Sequence, residues 1–112
     1  MQRTPHEFEL PCFTVDARRS GEDYWVLVSG ELDISTTDDL RIALSAVELG
    51  ADGTVWLRMA ELDFADAGSL DQLVGFTRLA REAGREVGVF GAQGVVLKMI
   101  RLMGLESELA VA

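Results

Sequence analysis

The chain is short of several things at once. Its 112 residues include one cysteine, two prolines, one tyrosine and one histidine, and 10 Lys+Arg stand against 19 Asp+Glu. A single thiol, Cys12, excludes an intramolecular disulfide and any cysteine metal cluster. The shortage of cations leaves a formal net charge of -9. Such a chain repels phosphate backbones and anionic lipid, so no nucleic acid partner is expected. No apolar run approaches the ~20 residues that span a bilayer, so no membrane insertion is expected. The first ten residues carry Arg3, His6, Glu7 and Glu9 but no apolar signal core, and a cytoplasmic protein is the expectation. The one histidine lies in this polar start, outside the core pattern. Cys12 has no basic neighbour in sequence to lower its pKa. Nucleophile–base catalysis therefore lacks its parts, and the chain reads as no enzyme.

What is there is ordinary globular material, 48% hydrophobic and 26% charged. One domain is expected at this length. Phe13, Val15 and Ala17 alternate with polar residues, predicting a half-exposed strand over 13–18. After the turn cluster Ser20–Asp23, the run Tyr24–Val28 predicts a second strand that closes a hairpin and ends at Gly30. Ser35 or Thr36 can cap a helix, with Asp38 and Asp39 against its positive end. Leu40, Ala43, Leu44 and Val47 give that helix one buried face, and Gly50 and Asp52–Gly53 end it. Thr54–Met59 predicts a third strand. Ala60–Asp66 reads as a loop with Leu62 and Phe64 turned inward.

A second helix begins near Asp66 or Ala67 and ends near Gly84. Its inward face is Leu70, Leu73, Val74 and Thr77, with Ala80 at the margin. Val87–Phe90 is a fourth strand. Val95–Met103 is a third helix, with Val96, Met99, Ile100 and Met103 on one side and Gly104 as its left-handed terminator before Leu105. The tail 106–112 has room for one more turn. The order is β-β-α-β-α-β-α. Strands separated by helices pair in parallel through right-handed crossovers. This predicts an α/β domain over 13–112 behind an extension of residues 1–12. Its mixed sheet has four to five strands, mostly parallel with an N-terminal antiparallel hairpin, and three to four helices accompany it.

Few residues offer chemistry. Gly91-Ala92-Gln93-Gly94 sits between a strand and a helix but lacks the Gly-Lys-Ser/Thr ending of a phosphate loop, and reads as a tight turn. Asp33, Asp63 and Asp66 are carboxylates whose order in the chain implies no pairing, so neither a metal nor any other cofactor is expected. Two loops are more informative. Gly30-Glu31-Leu32-Asp33 and Asp63-Phe64-Ala65-Asp66-Ala67-Gly68-Ser69-Leu70 each close a strand and open a helix. Loops at the carboxyl ends of parallel strands meet at one edge of the sheet, where α/β proteins place their sites. Asp33 and Asp66 each stand at a helix start, where capping is as good an account as binding.

The run Val26-Leu27-Val28-Ser29-Gly30-Glu31-Leu32-Asp33 resembles the opening signature of STAS domains, the anti-sigma factor antagonist family. The resemblance continues through Leu40-Arg41-Ile42-Ala43-Leu44, Leu62-Asp63-Phe64-Ala65-Asp66 and Leu102-Met103-Gly104-Leu105. It covers roughly Phe13 to Leu109. It implies a STAS-like fold and a protein-binding regulator whose partner is an anti-sigma factor with a GHKL-type serine kinase fold. That kinase phosphorylates a Ser directly after the Asp before the second helix. A phosphate there adds about −1.5 to −2 charge and blocks the partner surface. Here the family's Asp-Ser-Ser-Gly is Asp66-Ala67-Gly68-Ser69, so the phosphoserine position falls on Ala67, which has no hydroxyl. Arg58 is a second departure, and a pair with Asp33 or Asp66 is one expectation for it, a solvated side chain the other.

Three readings follow: an antagonist that cannot be phosphorylated at the usual site; one in which Ser69 is the alternative phosphosite, although two residues turn a helical side chain by roughly 200°; or a module outside the kinase circuit, such as a scaffold or a cytoplasmic subunit of a transport complex. A small-ligand or nucleotide sensor has only the Gly91–Gly94 turn behind it. The partner-binding edge is expected to hold Asp33, Ser35, Thr36, Asp66, Ala67, Gly68 and Ser69. With Asp38 and Asp39 beside them, a basic or donor-rich partner is expected, bound more weakly as salt rises. Ile42, Leu49, Phe76 and Leu79 lie off the inward helix faces or at their margins. If they gather, they mark a partner or homodimer surface.

Overall fold

A computed structural model describes residues 12–50 and 52–109. His6 and the rest of the extension before Cys12 lie outside them. The hairpin forms from β1 (Phe13–Ser20) and β2 (Asp23–Leu32), antiparallel from Phe13↔Gly30 to Ser20↔Asp23. Then follow a 3-10 turn (Ile34–Thr36), α1 (Thr37–Ser45), β3 (Val55–Arg58), β4 (Leu62–Ala65), α2 (Ala67–Glu82), β5 (Val87–Phe90), α3 (Gly94–Leu102) and α4 (Glu106–Leu109). The five-stranded sheet has the order β1-β2-β3-β5, and β4 joins it by pairing with β2. β3 and β4 run parallel to β2 one after the other: β3 along Tyr24–Leu27, β4 along Gly30–Leu32. This is the predicted mixed sheet with four helices. The fifth strand lies in the segment expected to be a loop.

The second strand does not stop at Gly30. It passes through a register shift between Gly30 and Glu31 and runs on to Leu32. Gly30 makes the passage possible. Its φ is 93°, and a Cβ there would sit 2.1 Å from the Cys12 carbonyl oxygen. Only a residue without a side chain takes that backbone and that approach together. The Glu31 N–H donates to the same Cys12 oxygen at 2.9 Å.

One apolar cluster fills the interior. Val26, Val28, Val55, Leu57, Val87 and Val89 line it from the sheet, as the strand period of two requires. Leu40 and Leu44 of α1, Leu70, Leu73, Val74, Thr77 and Ala80 of α2, and Val96 and Ile100 of α3 are buried as the helical spacing predicts. Gly104 ends the third helical region at φ 69°, and Leu105 donates its N–H back to Ile100. α4 then buries Leu109, and Arg78 of α2 pairs with Glu108.

Three expectations are corrected. α1 ends at Ser45, short of Val47: the Val47 N–H bonds to the Leu44 carbonyl three residues back as the last turn tightens, and the Ser45 hydroxyl donates to the Ile42 carbonyl. Leu49 is therefore outside the helix. Phe64 is not inward: β4 buries Leu62 and Ala65 and leaves Phe64 38% exposed, because its pattern is not a simple alternation. The segment after α1 is held from a distance. Buried Arg85 donates to the carbonyls of Gly50, Asp52 and Gly53, the last at 2.8 Å.

Candidate functional site

Parallel pairing of β2 with β4 brings the two Asp-led loops together. Leu32 and Ala65 are register partners, and the Asp66 N–H donates to the Leu32 carbonyl at 3.1 Å. Asp33 and Asp66 therefore start their helical segments from adjacent strand ends. The Gln72 side chain of α2 donates to the Thr37 carbonyl at 3.0 Å and ties the two starts.

Each aspartate caps. Asp33 Oδ1 accepts from the Ser35 N–H at 2.9 Å and from the Ser35 hydroxyl at 2.6 Å. Thr36 Oγ1 accepts from the Asp33 N–H at 3.0 Å, completing a reciprocal box. The Ser35 hydroxyl, then the Ser35 N–H, hold the Asp33 carboxyl below the usual carboxylate range. The cap is thus Asp33, not Ser35 or Thr36, because its carboxylate stands before a 3-10 turn that precedes α1. On the other loop, Asp66 Oδ1 accepts from the Ser69 N–H at 2.8 Å.

The expected edge residues divide in two. Ser35, Ala67 and Gly68 are exposed, with Asp38 and Asp39 beside them. Thr36 and Ser69 are buried, Ser69 at 0% exposure with its Oγ partnerless. Ala67 and Gly68 open α2, and the helical turn then carries Ser69 to the core side. The Ser69 hydroxyl is therefore not part of the exposed surface of this edge. The residue missed from the sequence is Ile34, 85% exposed between Asp33 and Ser35. A large apolar side chain directly after a capping Asp was the available signal.

Arg58 does not join the edge. Among the described residues it forms no ion pair with Asp33 or Asp66. It sits in β3 between Leu27 and Phe90 instead. Leu49, Phe76 and Leu79 line one groove with Leu44 and Val47, whereas Ile42 is exposed without lining it; Phe76 is not off the inward face as expected but buried in the core, and Leu49 packs against that core. Gln93 at the Gly91–Gly94 turn donates to the Ala60 carbonyl at 2.8 Å, a structural tie. Among the described residues no group of three or more His, Cys, Asp or Glu could hold a metal, and no helix is long and apolar enough to cross a membrane.

Comparison with known proteins agrees with this geometry. An anti-sigma factor antagonist from Mycobacterium paratuberculosis superposes with a TM-score of 0.73 at 25% identity, over 88% of this chain and 84% of that one. The anti-sigma factor antagonist SpoIIAA in its unphosphorylated form gives 0.64 at 17% identity, over 88% of both chains. The murine Solute Carrier 26 family member A9 anion transporter gives 0.68 at 14% identity, over 84% of this chain but 16% of the transporter. These last two likenesses are of fold. No curated protein sequence matches the chain. The family model described as "Mlab, STAS domain" matches residues 15–111. Those residues take in, among the described residues, all five strands and all four helices but for the first two residues of β1, and the chain belongs to the STAS domain family.

Proposed function

We propose that this STAS domain is a protein-binding regulator of the anti-sigma factor antagonist kind, which docks an anti-sigma factor of the serine kinase type through the Asp33–Asp66 edge and is not switched off by phosphorylation there. One observation carries the reading. Leu32 and Ala65, register partners at the ends of β2 and β4, each lead within three residues into exposed chain, Ile34–Ser35 on one side and Ala67–Gly68 on the other. Ala67 and Gly68 offer a partner close approach to the first turn of α2 and no hydroxyl to modify. Burial of Ser69 speaks against its being an alternative acceptor. Asp38 and Asp39 supply the negative charge that favours a basic partner, while Ile34 supplies apolar area at the centre of the edge.

The lack of a hydroxyl at Ala67 and Gly68 equally favours a second reading, a module held permanently by its partner, as in a transport complex. A single experiment separates the two. The protein is incubated with the GHKL-type kinase encoded nearest to it and with ATP, and complex and intact mass are measured. The first reading expects a complex, weakened by Ile34→Ser and by rising salt, with no added phosphate. A phosphorylated product overturns the unswitchable reading. Absence of any complex with such a kinase overturns the antagonist role and leaves the permanent module.

A further inference from the structure

The sheet has two faces with different fates. Strand register places Arg18, Trp25, Trp56 and Gly88 in one row across β1, β2, β3 and β5, and Asp16, Leu27, Arg58 and Phe90 in the next. These rows alternate with the buried Val26, Leu57 and Val89, so they share the face turned away from the core. Trp25 stacks on Trp56 with ring centroids 5.7 Å apart, and Phe90 meets Trp25 edge-on at 5.8 Å. Trp56 lies flat because Gly88 has no side chain: a Cβ there would come within 2.6 Å of the indole. The result is an aromatic floor.

Cations rim this floor. Arg18, Arg19, Ser20, Trp25, Leu27 and Arg58 wall a cleft of about 380 Å³. The Arg18 and Arg58 side chains share this face in a chain of net charge -9, whereas the Arg19 guanidinium stacks over the Tyr24 ring, 5.2 Å from its centroid, on the other face. Arg18 has a carboxylate at hand, Asp16, at 3.0 Å. Arg58 differs. It has no ion pair among the described residues, and its Nε is buried without a hydrogen-bond partner. Arg58 therefore has no hydrogen-bond partner among the described residues that an anion in the cleft would have to displace.

We propose that this open face binds a small anion carried on a planar ring, an aryl phosphate or aryl carboxylate. The guanidinium fork of Arg58, with Arg18 beside it, matches the oxygen geometry of either anion. The exposed part of Trp25 and the Leu27 side chain receive the ring. The site is independent of the partner-docking edge, and its test is independent too.

Both tryptophans of the chain lie on this face, so the two indole N–H signals in a proton–nitrogen spectrum are local reporters. Phenyl phosphate and benzoate are titrated in parallel, with inorganic phosphate and benzyl alcohol as controls. The expected result is a saturable shift of the Trp25 indole with a Kd of about 1 mM or tighter for at least one aryl anion. Arg58→Gln weakens it roughly tenfold, and Arg58→Lys, which keeps the charge but loses the fork, falls between. Arg41→Gln on α1 leaves it unchanged. Should Arg58→Gln lose its native amide spectrum, Arg18→Gln at an exposed position is expected to weaken binding about threefold. The proposal is overturned if neither aryl anion saturates below about 10 mM. It is equally overturned if benzyl alcohol shifts the indole as strongly, or if inorganic phosphate binds as tightly as phenyl phosphate.

Discussion

The two helix starts at the docking edge share a cap and little else. Both follow paired strand ends, and both use an aspartate oxygen to accept a backbone N–H, from Ser35 in one and Ser69 in the other. After Asp33 the chain spends three residues in a 3-10 turn, which pushes Ile34 and Ser35 outward before α1 begins. After Asp66 it enters a 16-residue α-helix at once, so Ala67 and Gly68 face out and Ser69 is carried inside. The same cap chemistry thus yields an apolar knob on one loop and a bare backbone shelf on the other. What is displayed depends on the winding that follows the cap.

The strongest way to break this comparison is to disturb the strand that delivers the first loop. Gly30→Ala puts a Cβ into the Cys12 carbonyl at a left-handed φ. The expected loss is about 3 kcal/mol, read as a lowered urea midpoint, and an unchanged midpoint would show that the bulge relaxes freely. The shift should fall on the Asp33 loop, with amide protection of Ser35 lost before that of Ser69.

Removing the caps comes next. Asp66→Ala should cost about 1 kcal/mol, because it uncaps a helix that buries seven residues. Asp33→Ala should cost less, since the turn it caps is three residues long and Thr36 still bonds to the Asp33 carbonyl. Equal losses in chemical unfolding would mean that the two starts are alike energetically despite their shapes.

The smallest effect concerns pH. Hydrogen bonds from Ser35 lower the Asp33 carboxyl in the folded chain, so folding favours its ionised form. That stabilisation is complete above the unfolded carboxylate pKa and is lost as pH falls through the folded value. Asp33→Asn should therefore be less stable than the wild type at neutral pH, with the gap closing in acid. Glu108, also lowered by its Arg78 hydrogen bond, titrates in both proteins and cancels in the difference. A gap that stays constant with pH would assign the cap to geometry alone.

Much of the fold was legible locally. The periods of two and of 3.6 identified most of the buried faces of β2, α1, α2 and α3, because burial of one face imposes those periods, but they missed buried Ser69 and Phe76 of α2 and overstated Ala43, Met99 and Met103, which are only partly buried. Gly104 declared its left-handed terminus in the same way. The irregular places were not legible. β4 was hidden because a four-residue strand with Leu62 and Ala65 inward has no clean alternation. The end of α1 was not legible because Val47 keeps the helical spacing and packs against the core after the helix has stopped, and the glycine stop signals lie further on at Gly50 and Gly53.

The candidate site divides along the same line. From the sequence came Asp33 and Asp66 as helix caps and Ala67 as a position without a hydroxyl, since these depend on residue type and a few neighbours. That the two aspartates are adjacent was decided only by the parallel pairing of β2 with β4, a contact between segments some thirty residues apart. The inward turn of Ser69, the outward turn of Ile34 and the placing of Arg58 on the aromatic face were decided there too. Capping and periodicity are short-range, so a sequence states them directly. Which surfaces meet, and which side chain is left without a partner, is fixed by long-range packing, and only the assembled sheet contains it.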